Sequence, residues 1–448
     1  MYRKYAETVR EWISNSGKAL LVTGARQTGK TWLIRDEIEK SKYAKFEINF
    51  LDQPEMVQYL NAEISAEDFL VKLRLIMPEN CKAHETIVFF DEIQKCPEIV
   101  TKIKFLVDEG SFKYVMSGSL LGVELKGIAS VPVGYMSILH MYPMDFEEFM
   151  IANGISDFTL EMLRNKFEKL EPIDEVVHKK LLSLYFIYLI VGGMPDAVKA
   201  YIKTKDIREV DKIQKEIIAL YREDFSQYEQ EEKKLKLKSV YDIVPAELNK
   251  QNKKFVFTML DKELKFDRYE NSFLWLKDAG VVLPVYSVDV PVVPLLASKA
   301  SNVFRLFMND TGLLTSAYPA DTKIELINNN GEVNNGALFE NAVVQQLVTN
   351  GLVPYFCKKK NLGELDCVVE IGGKVVPIEI KSGKYYKEHK ALNNFLSVSE
   401  YHLENAYVVS TGNVEQEENI VYLPVYMTYL VKEKTIESLI VDVDTEGL

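Results

Sequence analysis

The stretch Lys18 to Lys40, KALLVTGARQTGKTWLIRDEIEK, decides the first fold assignment. KALLVTG is a short apolar run that reads as a buried strand, and TWLIRDEIEK reads as a helix. Between them, Gly24-Ala25-Arg26-Gln27-Thr28-Gly29-Lys30-Thr31 satisfies G-x-x-x-x-G-K-[ST] in full. The glycines let the backbone curl so that its N–H groups face phosphate oxygens, and the following helix directs its positive end at the same place. Lys30 is placed to reach the β- and γ-phosphates, and Thr31 to ligate Mg²⁺. ATP and Mg²⁺ are therefore the expected ligands.

Downstream, TIVFFDE (Thr86 to Glu92) is an apolar strand ending in two carboxylates. Asp91 is expected to hold Mg²⁺ and Glu92 to polarise the attacking water. The next strand, FKYVMSGS, ends in Ser117-Gly118-Ser119; Ser117 is taken as a nucleotide contact, although the sequence does not choose between the two serines. Short apolar strands alternating with helices predict an α/β unit built on a parallel sheet.

The chain has 448 residues, enough for three or four compact units, and a formal net charge of −12. Any nucleic-acid contact must come from a local basic patch, not from overall charge. Candidate runs are Glu232 to Lys238, Lys250 to Lys254 and Lys358 to Lys360, with Lys384, Lys387 and Lys390 further on. Each run could equally be a solvated helix end or loop. Cys81, Cys96, Cys357 and Cys367 form no C-x-x-C pair, which fits a reducing cytoplasm and argues against zinc or disulfides. The N-terminus lacks an apolar signal core. Leu181 to Met194, the most apolar stretch, is too short for a membrane span and reads as a buried helix.

The fold class expected is α/β and multidomain. Residues 1–170 form a P-loop NTPase unit, 171–231 a helical region, 232–326 a winged-helix-like module, and 327–448 a second α/β unit. The module at 232–326 rests on helices followed by a strand pair. The linker Ile327 to Gly336, INNNGEVNNG, sets its boundary.

The last unit carries a second constellation. Glu340 lies in a helix-like run, Asp366 on the strand LDCVVEI, and Glu379 and Lys381 on the returning strand PIEIK after an Ile371-Gly372-Gly373-Lys374 turn. A strand period of two puts Glu379 and Lys381 on one face, and the hairpin can bring Asp366 beside them. Two carboxylates holding Mg²⁺ (Asp366 and Glu379) with a lysine steadying developing charge suit phosphodiester hydrolysis, with Glu379 and Lys381 as catalytic groups. The plain alternative is a solvated strand face with an ion pair.

GARQTGKT, FFDEIQ, MSGSLLG and YPMDFEEF (Tyr142 to Phe149) resemble the AAA-type ATPases of the archaeal-ATPase-like clade. Where that family carries a Gly-Arg pair, this chain has Gly134-Tyr135. An arginine implied to sense nucleotide or a neighbouring subunit is thus missing, and Arg26 is the other candidate for that charge. The Asp366 to Lys381 arrangement resembles the PD-(D/E)xK nuclease fold, whose leading helix glutamate is matched by Glu340, which the resemblance implies as a further Mg²⁺ ligand. With YLIVGGMPDAV (Tyr188 to Val198), FMNDTGLL (Phe307 to Leu314) and a closing strand VYLPVYMTYLV, it resembles ATPases fused to a DUF4143 domain. The resemblance implies a Mg-dependent ATPase coupled to a nucleic-acid-binding unit, DNA ahead of RNA, with nuclease activity or an inactive nuclease scaffold. A protein partner or self-association is the other implied contact.

Overall fold

The computed structural model describes residues 1–61, 65–119, 134–227, 231–250, 270–328 and 336–433. Most of the predicted linker at Ile327 to Gly336, the lysine run beyond Lys250 and the whole LLG tripeptide after Ser119 lie outside these residues.

Among the described residues the N-terminal sheet has five parallel strands in the order β2-β3-β4-β1-β5. They are β1 (Ala19–Thr23), β2 (Ala44–Asn49), β3 (Thr86–Asp91), β4 (Lys113–Gly118) and β5 (Met136–His140). β1, β3 and nearly all of β4 are buried along their whole length, which is why their sequences are continuous apolar runs rather than alternating ones. Separate apolar clusters fill the two faces of the sheet. One holds Phe50, Phe69, Phe90 and Tyr114; the other holds Trp12, Ile34, Phe89 and Val115. Because β4 lies between β1 and β3, the end of β4 separates the phosphate loop from the acidic end of β3.

The second sheet has, among the described residues, eight strands in the order β12-β13-β11-β10-β9-β8-β6-β7. They are β6 (Val282–Val288), β7 (Lys299–Met308), β8 (Tyr355–Lys359), β9 (Gly363–Ile371), β10 (Lys374–Ile380), β11 (Ala406–Ser410), β12 (Glu415–Glu417) and β13 (Ile420–Pro424). The β9–β10 turn is made by Gly372 and Gly373, both at positive φ, as a two-residue hairpin requires. The predicted closing strand stops at Pro424 and continues as a 3₁₀ helix, Val425–Leu430.

The strand pair expected to close a winged helix does something else. β6 and β7 pair with each other, and β6 then pairs in parallel with β8, Tyr286 opposite Tyr355. The hairpin is the edge of the C-terminal sheet, so the expected boundary at 326/327 runs through a single sheet. One apolar cluster also extends from Phe146 through helix Glu175–Val191 and helix Glu270–Asp278 to Val421 and Tyr426. The helical middle and the C-terminal sheet therefore share a core. Periodicity identifies β6 as a strand but carries no information on which distant strand it pairs with. Phe273, Leu276 and Val281 are buried and Leu274 is partly buried, with Phe273 stacked on Phe304. Leu181–Val191 lies inside a buried helix, and among the described residues no helix is long and apolar enough to cross a membrane.

Candidate nucleotide site and a second acidic cluster

The loop Gly24–Gly29 joins β1 to helix Lys30–Glu39 with Gly24, Gln27 and Gly29 at positive φ. At Gly24 a Cβ would stand 2.1 Å from the carbonyl oxygen of Met141, so neither the backbone angle nor the space admits a side chain. Thr31 opens the helix, and its hydroxyl donates to both oxygens of Asp91 at 3.1 Å. Asn49, at the end of β2, donates to Asp91 Oδ2 at 3.1 Å, and Ser117 on β4 donates to Oδ1. The ends of β2, β3 and β4 thus converge on one buried carboxylate, next to the helix that carries Thr31. Burial pushes the Asp91 carboxyl up, against the hydrogen bonds of Ser117 and Thr31.

Lys30 is buried and its ammonium donates to the carbonyls of Gly24 and Ala25 at 2.9 and 2.7 Å. Burial lowers its pKa to about 8, although Glu92 and Asp91 pull the other way. A desolvated ammonium with only main-chain acceptors suits an incoming phosphate, and the Thr31–Asp91 pair is a hard-oxygen set suited to Mg²⁺. The residues present therefore fit both ligands. Gln27, Gly29, Lys30, Thr31 and Glu92 line a cleft of ≈510 Å³ together with Arg3, Arg26, Pro195 and Lys199. A second cavity, ≈550 Å³, lies behind the loop between β5 and β6; of the predicted residues it touches only Gly24 and Ala25.

The predicted serine is a support, since Ser117 is buried and committed to Asp91. Ser119 instead stands 3.4 Å from Arg26 Nε and 3.5 Å from the amide nitrogen of Gln94. That Gln94 amide donates to the Glu92 carboxylate. Arg26 is ion-paired with Asp224 of helix Ile207–Gln227 at 2.8 Å. Gly134-Tyr135, where the family arginine was expected, lies at the start of β5, its carbonyl bonded to Ala19 N. β5 runs parallel to β1 with Thr23 opposite His140, so Tyr135 is a full strand length from the phosphate loop. An arginine there would not face this chain's own site.

Sequence patterns gave no sign of Arg3. Its buried guanidinium donates to Thr28 O in the loop, to Glu148 at 2.8 Å and to Tyr142 O at 2.7 Å. Lys4 beside it pairs with Asp145 at 2.8 Å and donates to Thr349 O at 3.1 Å, on the helix Gly336–Thr349 of the C-terminal unit. Arg3 and Lys4 thus tie the phosphate loop, YPMDFEEF and the helix Gly336–Thr349 together.

In the C-terminal unit, β9 and β10 bring Asp366 beside Glu379. Asp366 Oδ2 accepts from Ile380 N at 3.1 Å, and Glu379 pairs with Lys381 at 2.8 Å. Burial first, then the Asp366 carboxylate, pushes Glu379 up to about 7. Glu379 Oε2 is buried without a hydrogen-bond partner. Glu340 lies across from the buried Arg305, 4.0 Å away, and Arg305 also engages Glu364 and stacks over Phe356. Among the described residues no three His, Cys, Asp or Glu side chains converge to hold a metal. The expected three-carboxylate set of Glu340, Asp366 and Glu379 is thus assembled as a neighbourhood and not as a ready cage, because Arg305 and Lys381 draw on two of its members. Nearby lysines are also partly neutralised: Lys358 pairs with Glu364, and Lys387 with Glu415 and Glu417.

Comparison with known proteins places three family models along the chain: an AAA domain (AAA_14) at residues 16–150, a domain of unknown function (DUF8612) at 182–324 and another (DUF4143) at 335–428. No curated protein matches. Among solved structures, the Walker-type ATPase PABY2304 of Pyrococcus abyssi is similar at 15 % identity, covering 70 % of this chain and 94 % of that one, TM-score 0.43. AMPPCP-bound DnaA from Aquifex aeolicus is similar at 13 % identity over 61 % and 84 % of the two chains, TM-score 0.31. Cdc6p from Pyrobaculum aerophilum follows at 14 % identity over 73 % and 95 %, TM-score 0.29. The chain thus carries, in order, a segment similar to an AAA domain, one similar to the DUF8612 region and one similar to a DUF4143 domain.

Proposed function

We propose that this protein binds and hydrolyses ATP with Mg²⁺, and that the nucleotide state governs how its C-terminal unit meets nucleic acid, DNA ahead of RNA. The convergence of Thr31, Asn49 and Ser117 on Asp91, beside Lys30, carries the first half. Mg²⁺, when bound, would neutralise phosphate charge and would be held by Thr31 and Asp91. The loop N–H groups and Lys30 orient the phosphates. Glu92, once released by Gln94, orients and polarises a water. Replacing Lys30 by alanine should weaken ATP binding by about a hundredfold, and Glu92→Gln should keep binding but lose turnover. Equal binding by wild type and Lys30→Ala would end this reading.

The second half rests on the order helix Gly336–Thr349, β8, β9, β10, helix Lys390–Leu396, β11, with β10 and β11 parallel and the hairpins antiparallel. That order, with Asp366, Glu379 and Lys381 at one point of the hairpin, supports a nuclease-like unit. The unpartnered Glu379 Oε2 supports divalent-metal binding there. Cleavage of DNA and RNA with Mg²⁺ or Mn²⁺, with nucleotide varied independently, tests it. The alternative is a nucleotide-gated switch for a protein partner, with the nuclease fold as scaffold. The Arg305–Glu340 and Lys381–Glu379 pairs favour that alternative.

A further inference from the structure

The loop carries two cations, and both are occupied by the protein itself. Lys30 is turned onto the carbonyls of Gly24 and Ala25. Arg26 is turned outward from the same loop onto Asp224, and its own carbonyl accepts from the Tyr221 hydroxyl at 3.0 Å. Both partners sit on helix Ile207–Gln227, which lies outside the matched AAA segment. The Arg26 side chain is 22 % exposed and lines the nucleotide cleft, so it has access to ligand from where it rests.

We propose that Arg26 is a phosphate-binding residue parked on Asp224, so that triphosphate capture draws it off helix Ile207–Gln227 and passes the nucleotide state to the helical middle. The proposal rests on the cleft being an ATP site. A triphosphate carries several charges and offers paired oxygens matched to a guanidinium, whereas Asp224 offers one carboxylate. The competition is therefore weighted toward the ligand. Asp224 is itself buried, and Glu92 lies close enough to disfavour its charge, so the parked pair is not deeply stable. Departure of Arg26 also frees Ser119, whose hydroxyl is shared with Gln94, the residue holding Glu92. One movement thereby touches both the helical middle and the water-polarising carboxylate. The helix is linked onward: Gln214 donates to the carbonyls of Ile190 and Val191, just before Gly192, and Asp211 pairs with Lys323.

A permanent staple between loop and helix would behave in the opposite way, which gives the test its sign. The full chain is titrated with a fluorescent non-hydrolysable ATP analogue and with ADP, as wild type, Asp224→Asn, Arg26→Ala and the double variant. Asp224→Asn should tighten the triphosphate about tenfold and ADP less, since the parked fraction is removed. Arg26→Ala should lower the preference for triphosphate over ADP about tenfold. In the Arg26→Ala background, Asp224→Asn should have no effect. Amide exchange around Tyr221 to Phe225 should rise on triphosphate binding in wild type and be raised already in Asp224→Asn. Weaker or unchanged triphosphate binding in Asp224→Asn, or a gain that persists without Arg26, overturns the proposal alone. A wild-type chain that binds neither nucleotide overturns the ATP-site reading as well.

Discussion

Asp310 accepts the main-chain N–H of Gly193 at 2.6 Å, across 117 residues of sequence. The same carboxylate accepts from Leu313 N at 3.0 Å and caps the short helix Thr311–Ser316. Gly193 in turn accepts from Met144 N at 2.7 Å. The GGMP, NDTG and YPMDFEEF segments therefore meet at one buried point, where a Cβ on Gly193 would stand 1.9 Å from Met144 O.

Asp310→Ala should destabilise the chain by about 3 kcal/mol, because it strands several buried N–H groups at once. Asp310→Asn keeps an acceptor oxygen and should lose about 1 kcal/mol. Denaturant unfolding of the two variants checks the order; equal losses would mean the acceptor is not what matters.

Gly24→Ala should lose nucleotide binding and on the order of 3 kcal/mol of stability, through strain at φ +141° and collision with Met141 O. Gly17→Ala, with nothing within 4 Å of its Cβ, is the control and should bind nucleotide as wild type does. Thermal melts with and without ATP give both readouts.

Burial holds Lys30 near 8, and a bound triphosphate must raise it, since the ammonium then faces anionic oxygens. Binding therefore takes up a proton above that pH. ATP affinity should be level below pH 8 and fall toward about tenfold per unit above it. The slope should vanish in Lys30→Ala, measured by titration calorimetry over pH 7 to about 9.5.

Asp224 is the acid whose pKa is raised, to about 6, by burial first, with Glu92 and Glu223 adding to the rise and Arg26 and Lys95 opposing it. Its folded pKa lies above the unfolded value, so its stability contribution is full below about pH 4 and is lost as pH rises through about 6. Asp224→Asn should therefore gain in melting temperature relative to wild type between pH 5 and 7.5. The difference in ATP affinity between the two should narrow as pH falls through about 6, where Asp224 loses its charge.

Lys381→Ala and Asp366→Asn should each reduce metal-dependent cleavage of DNA by about a hundredfold while leaving ATP turnover within about twofold. Gel assays of cleavage beside phosphate-release assays separate the two. Absence of cleavage in wild type, with ATP turnover intact, would select the scaffold alternative.

By itself the sequence determined the phosphate loop, because G-x-x-x-x-G-K-T is a local device: one strand, one turn and one helix supply every part of it. It also determined the acidic strand end at Asp91 and Glu92 and the β9–β10 hairpin with Asp366, Glu379 and Lys381, since strand period and a two-glycine turn are local as well. Only the tertiary structure decided that β6 joins β8, that Arg305 stands against Glu340, and that Arg3 and Asp224 reach the loop. Those contacts join residues from 25 to almost 200 positions apart. They depend on which buried faces and charges find each other in the folded chain, and a linear pattern of residue types carries no record of that choice.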